Sequence, residues 1–317
     1  MKRLKINGAW SRILKILSLG LAIFFIVQRF DYDKLRSLEP SLSASQLMMA
    51  ISVYLLLGLL NLFFDAHIWR IVQSILRKIN WIEALDHNLK SYGLSFITPL
   101  QGGELAARYL VQRKKSHREK SVFLTFWNHL PRLSAKVMIS LMALPLLLKL
   151  PYAYNWLSHI IIIGLLLFAY LKAEKVLSYF GTLQFRGIAL ERFFERGRPN
   201  SSEKLKLLAL NGLRFLIFSG QLATFIIVFE PTWLSGKLVA AIPVFYLFTA
   251  IIPTWSAFDF LVKGGLSLYF FEQLGYQSEI FALGASAVWL SNVAIPALIG
   301  LSRVDFTAFR NFQQRTI

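Results

Sequence analysis

The chain has 317 residues, 56% of them apolar and 15% aromatic, with 35 Lys and Arg against 17 Asp and Glu, a formal charge of +18. Soluble proteins average about 45 to 50% apolar and about 25% charged residues, so a charged fraction of 16% moves this chain toward the membrane class. With no cysteine there is no disulfide framework, thiolate nucleophile or cysteine-ligated metal, and the five scattered histidines lack metal-binding helical spacing, which argues against a metal site.

Taken in chain order, apolar runs near the bilayer-crossing length of about 20 residues predict an all-α, polytopic integral membrane protein. Six full crossings are read at residues 13–28, 47–64, 133–149, 156–171, 207–229 and 280–301. The first resembles a signal peptide, but no small-residue cleavage site follows Val27, so it is read as an uncleaved anchor. Lys2, Arg3, Lys5, Arg12 and Lys15 accompany that run, whereas the connection after it is neutral (Arg29, Asp31, Asp33, Lys34, Arg36, Glu39). Residues 65–90 are read as a basic connection, and 113–120 and 172–206 each carry a net +4. By contrast, 230–237 is neutral and 272–279 holds only Glu272 and Glu279 as charges. The positive-inside rule then predicts a multi-pass protein of the cytoplasmic membrane with both termini cytoplasmic. Most of the +18 therefore faces anionic inner-leaflet lipid. It does not sit on a folded basic module, so nucleic acid is excluded as a partner.

Two apolar stretches do not fit as simple crossings. Residues 91–112 contain Thr98, Pro99, Gly102 and Gly103, and residues 238–271 are broken at Ile252-Pro253-Thr254 and again at Lys263-Gly264-Gly265. Each is flanked by loops assigned to one side, so each is predicted to be a re-entrant hairpin. Proline removes a backbone donor and glycine favours non-helical dihedrals. Such backbone is tolerated at membrane depth only where protein buries it or it lines a wet cavity. The two hairpins lie between helices of opposite sense. That predicts an inverted repeat with halves near 1–150 and 151–317, with paired Gly/Pro breaks pointing to a transporter's binding site. The alternative is that membrane helices simply contain more Gly and Pro than soluble ones.

Charges inside these segments carry the functional reading. Glu104 and Arg108 are four residues apart, as are Asp259 and Lys263; Asn128, Arg132 and Lys136 form one helical stripe, and Arg214 follows Asn211 in the fifth crossing. A central charge costs about 2.5 to 3.5 kcal/mol on insertion scales, so several together imply a paired or hydrated interior. The alternative for Arg132, Lys136 and Arg214 is that they snorkel from cytoplasmic helix ends. The excess of cations suits an anionic group, and guanidinium forks match phosphate oxygens. A helix starting after Gly102-Gly103 adds its positive end. The predicted ligand is a lipid phosphate bound by Arg108, Arg132, Lys136, Arg214 and Lys263, with no cofactor. Glu104 and Asp259 are the acidic groups available for proton coupling, because Gly236-Lys237 lacks the rest of a nucleotide-binding loop.

The string Thr98-Pro99-Leu100-Gln101-Gly102-Gly103-Glu104-Leu105-Ala106-Ala107-Arg108 resembles the signature of the lysylphosphatidylglycerol synthase transmembrane-region family, the flippase-like integral membrane proteins. Pro253 to Gly275 resembles the counterpart in that family's second half, with Lys263 where the family has Arg, and with Asp259, Leu261 and Gly264 departing from its pattern. Pro131-Arg132 likewise stands where the family often has Glu-Arg. The resemblance implies translocation or presentation of an anionic phospholipid or a polyprenyl-phosphate lipid. Nothing after Ile317 supplies the soluble aminoacyl-transferase domain of the bifunctional members, so the chain is not expected to aminoacylate lipid itself.

Two other classes compete. Asp31-Tyr32-Asp33 is an acidic pair in the first external loop, as a polyprenyl-phosphate-dependent glycosyltransferase would need for a base or metal ligand. A non-catalytic subunit, partnered with an envelope-lipid biosynthesis enzyme, is the third.

Overall fold

The computed structural model describes residues 39–98, 102–112, 114–148, 152–173 and 200–305, with isolated positions between 20 and 33. The crossing expected at 13–28, the C-terminal tail, Pro99 and most of the 172–206 segment lie outside these stretches. Among the described residues the protein is all-helical, with no strand. In chain order the helices are α1 (Ala44–Gln73), α2 (Trp81–Ile97), α3 (Gly102–Leu110), α4 (Lys115–Leu148), α5 (Tyr152–Leu171), α6 (Ser201–Phe229), α7 (Gly236–Ile251), α8 (Asp259–Glu272), α9 (Ser278–Trp289) and α10 (Ile295–Leu301). Among the described residues four stretches are long and apolar enough to cross a membrane: Ala44–Gln73, Ser116–Leu147, Ser201–Phe229 and Ser278–Leu301. Leu157–Leu171 and Gly236–Ile251 are apolar but shorter.

Local chemistry sets several boundaries. The Asn80 side chain accepts the Glu83 N–H at 2.8 Å and starts α2, and Asn200 with Glu203 forms a reciprocal capping box at the start of α6. Gly275, at φ 81°, turns the chain out of α8, a conformation an L side chain resists. Between α9 and α10 lies a π turn, Leu290–Ala294, in which the Ile295 N–H reaches back to the Leu290 carbonyl. Pro296 follows directly and has no N–H to offer the Asn292 carbonyl, which favours the wider turn at this point.

The order of elements repeats. α1, α2 and α3 start at 44, 81 and 102, and α6, α7 and α8 at 201, 236 and 259. The second series therefore trails the first by 155 to 157 residues, and in each a break separates the second helix from the third. α1 packs along α6, α2 along α10, α4 along α6 and α7, and α8 along α9. One core, built on Phe245, Tyr246, Phe271 and Phe281, joins α6, α7, α8 and α9; Phe271 and Phe281 stack at 3.6 Å. A second, around Ala66, Trp69, Ala84, Leu124 and Leu207, joins α1, α2, α4 and α6. Outward faces stay apolar: Met48, Leu55 and Leu59 of α1 and Leu157, Ile161, Leu165 and Phe168 of α5 are exposed. Exposed apolar surface on this scale marks contact with lipid or partners.

Several expected boundaries need correction. The run read as 47–64 continues as helix to Gln73, so the segment taken as a 65–90 connection is mostly α1 and α2. A polar residue did not end the helix because its polar groups find partners inside. Likewise α4 begins at Lys115, well before residue 133, and runs through Pro131 and Pro145. The interruption expected at Gly264-Gly265 is absent: both glycines are buried within α8, and Gly275 is the positive-φ glycine of the described residues. The breaks near Thr98 and Pro253 do interrupt the helices.

Candidate functional site

The two breaks meet. α2 ends where the Thr98 N–H and hydroxyl both bond the Leu94 carbonyl, at 3.1 and 2.6 Å. α3 then returns so close that a Cβ on Gly103 would collide with that same carbonyl and with the Thr98 hydroxyl, so glycine is required there by space. On the other side α7 ends at Ile251 and a short 3-10 turn, Ser256–Phe258, precedes α8. Trp255 donates its indole N–H to the Phe96 carbonyl at 3.0 Å, and Trp289 donates to the Ser256 carbonyl at 2.9 Å. The Phe96 and Ser256 carbonyls beside the two breaks are thus each satisfied by a tryptophan.

Beside this junction lies a cavity of about 740 Å³. Its charged lining is Glu104, Arg132, Lys136, Asp259 and Lys263, joined by His129, Tyr246, Thr249 and Thr254. Lys263 pairs with Asp259 at 2.5 Å, and Thr254 donates to the same carboxylate at 2.9 Å. Glu104 stands 3.6 Å from His129 and 4.0 Å from Arg108. Three cations therefore meet two carboxylates around the cavity. The Lys136 ammonium stands 5.8 Å from the Phe215 ring centre and makes no ion pair within 4.0 Å among the described residues.

A second polar cluster lies next to the cavity and centres on Asp65, a residue the sequence reading took as the start of a connection. Asp65 is buried within α1. One carboxylate oxygen faces Arg214 at 2.6 Å and Arg132 at 3.5 Å; the other accepts from Tyr92 at 2.7 Å and Asn88 at 2.8 Å. Arg214 also donates to Tyr92 and to Asn61, and Asn61 continues through Asn292 of the π turn to Gln221. Arg108, 3% exposed, sets its guanidinium carbon 3.6 Å from the Trp69 ring centre and donates to Asn88. Asp65, Asn61, Tyr92 and Asn292 escaped the sequence reading. The signal for Asp65 was its four-residue spacing from Asn61 and the continuing buried positions Ala66, Ile68, Trp69 and Val72.

The sequence-derived residues thus divide into two groups. Arg132, Lys136 and Lys263, with Glu104, Pro253, Thr254 and Asp259, line the cavity. Arg108 and Arg214 do not; they are tied into the Asp65 cluster, and the α4 stripe joins the two because Arg132 reaches both. Gly102 opens α3 and is exposed, whereas Gly264 and Gly265 are buried in α8. Asp31 accepts the Asp33 backbone N–H at 3.0 Å, a local turn. Among the described residues no three His, Asp or Glu side chains converge as a metal site would need. No protein-family model matches the chain, and no curated protein matches it significantly.

Proposed function

We propose that the protein is a flippase-like transporter of the cytoplasmic membrane that moves or presents an anionic lipid, a phospholipid or a polyprenyl-phosphate lipid, through the cavity between its two broken segments. In this reading it crosses the membrane six times with both termini cytoplasmic. α2–α3 and α7–α8 are re-entrant hairpins of an inverted repeat, akin to the flippase-like proteins its Gly-Gly-Glu motif resembles. The observation that carries it is the contact between the two breaks, Trp255 to Phe96, beside a cavity lined by Arg132, Lys136 and Lys263. Helices broken in corresponding places are how transporters build a site at membrane depth. The 155- to 157-residue offset between the two helix series supports the repeat. Arg132 supplies a planar fork and the lysines point charges, the two ways proteins hold phosphate oxygens. Glu104 and Asp259 keep the empty cavity close to neutral, which the cost of unpaired charge in a membrane demands.

The test is leaflet exchange in vesicles. Purified protein should accelerate exchange of a fluorescent phosphatidylglycerol, and Arg132→Ala combined with Lys136→Ala should bring the rate near that of empty vesicles. Exchange by the unaltered protein no faster than protein-free vesicles would sink the transport reading. Reporter fusions at residues 115 and 276 should report opposite sides of the membrane; the same side for both would remove the inverted repeat.

A further inference from the structure

The cavity holds a group of donors that the protein itself leaves incompletely matched. Lys136 has no ion-pair partner among the described residues, and its ammonium stands over Phe215. The Lys263 ammonium stands 5.7 Å from the Phe218 ring centre. Both rings pack on Tyr246, at 6.4 and 4.7 Å between centroids, so one aromatic cluster carries both lysines. Tyr246 lines the same cavity, is only 1% exposed, and its hydroxyl has no hydrogen-bond partner among the described residues. A buried hydroxyl left unpaired costs on the order of 1 to 3 kcal/mol, a cost that an oxygen atom entering the cavity would offset.

We infer that Lys136, Lys263 and Tyr246 form a subsite for the phosphate group of a lipid. The inference rests on the transport reading of the cavity and names the part of the substrate held there. Two ammonium groups and a phenol offer donors from three separate helices, α4, α8 and α7. A phosphate presents several anionic or ester oxygens in different directions, whereas a carboxylate presents two in one plane. Asp259 pairs with Lys263, and the Thr254 hydroxyl donates to that carboxylate. An arriving phosphate then shares Lys263 with Asp259 and gains Lys136 outright. The remainder of the wall selects a lipid over a free anion. Leu130, Leu133, Ala250 and Ile252 line the same cavity, and Leu133 is 54% exposed, so the polar floor runs into apolar surface.

The test measures phosphatidylglycerol retained by the full chain in maltoside micelles, using native mass spectrometry across a lipid titration. Lys136→Met should weaken retention at least tenfold, and Tyr246→Phe, which keeps the ring and its packing, roughly tenfold, the loss of one hydrogen bond to a charged group. Lys237→Ala, distant from the cavity lining, should leave it unchanged. Melting curves check that each variant is folded. Retention unchanged in both Lys136→Met and Tyr246→Phe would overturn the subsite, even where the unaltered protein moves lipid between leaflets. Lysine-dependent retention by a protein that moves no lipid would leave the subsite standing and remove the transport reading. Inorganic phosphate displacing the lipid at matched concentration would overturn the lipid assignment in favour of a free anion.

Discussion

The Asp65 cluster and the cavity share Arg132 yet treat their charges differently. Around Asp65 both carboxylate oxygens are used, by Arg214, Arg132, Tyr92 and Asn88, drawn from three helices packed on α1. Around the cavity, among the described residues, Lys136 makes no ion pair and the Tyr246 hydroxyl has no hydrogen-bond partner. A fully used carboxylate of this kind fixes the relative positions of helices, although Arg108 Nε and Nη1 and Arg132 Nε have no hydrogen-bond partner among the described residues; a cation without an ion pair leaves work for something that enters. The contrast separates arginines that the sequence reading grouped together as phosphate ligands. Arg108 and Arg214 hold α1, α2, α3 and α6 together, and Arg132 belongs to both regions.

The largest expected effect comes from cutting the closed network at its centre. Asp65→Asn keeps the volume but leaves Arg214 and Arg132 facing an uncharged group, and removing one partner of a buried pair costs about 3 to 5 kcal/mol. Thermal melting in detergent should drop by several degrees or the protein should fail to express. A double change, Asp65→Leu with Arg214→Met, should recover much of the loss, since apolar replacement of a whole buried pair is often neutral. A melting temperature unmoved by Asp65→Asn would place the structural role elsewhere.

Next in size is the backbone contact that brings α2 up to the cluster. A Cβ on Gly300 of α10 would run into the Leu89 carbonyl of α2, and one on Gly93 would lie 2.6 Å from the Leu301 nitrogen. Small residues allow such close helix approach where no water drives association. Gly300→Ala should therefore cost about 1 to 3 kcal/mol as an overpacking change and shift Tyr92 and Asn88 off Asp65. Bound lipid per folded molecule should fall less than stability does, because Lys136, Tyr246 and Lys263 stand on α4, α7 and α8, while α2 gives the cavity wall Ser95. An equal loss of both would merge the two regions into one.

Much of this arrangement was legible in the residues themselves. Pro99 with Gly102-Gly103 and Pro253 marked the two breaks, because a missing donor and a crowded carbonyl are local facts. The stripe Asn128, Arg132, Lys136 followed from helical spacing alone, and the Glu104–Arg108 and Asp259–Lys263 pairs, four residues apart, are ion pairs in the structure. Asp65 was hidden because a charge at the end of an apolar run reads as the water boundary. Its partners lie far along the chain: Tyr92 is 27 residues from Asp65, and Arg214 is 122 residues beyond Tyr92. The Gly264-Gly265 pair misled for the converse reason: glycine permits a break but does not impose one, and here the surrounding α8 positions Val262, Leu268 and Phe271 are all core.

A smaller effect probes the far end of the closed network. Asn292 accepts from Asn61 and donates to Gln221, both at 2.6 Å, and the π turn aims it there. Hydrogen bonds between membrane helices average about 0.6 kcal/mol, with a maximum near 1.7. Asn292→Leu should lower stability by an amount in that range. A double-mutant cycle with Asn61→Leu should show coupling, whereas a cycle with Lys136→Met should be additive.

The smallest and most telling expectation has the opposite sign. Lys136 sits in the cavity with no ion pair among the described residues and only the Phe215 ring beneath its ammonium, so burying its charge costs more than its contacts return. Replacing it with methionine, of similar length and apolar, removes that cost, and stability should hold or rise by about 1 kcal/mol or less. For a chain of this size that corresponds to a rise in melting temperature of about 2 °C or less. Added phosphatidylglycerol should raise the melting temperature of the unaltered protein, since a ligand bound to the folded state alone stabilises it, and should do so much less for Lys136→Met. A variant that is more stable alone and less responsive to lipid is the pattern of a residue kept for its ligand. A destabilised variant would instead assign Lys136 to the scaffold, alongside Arg214, and erase the distinction between the two regions.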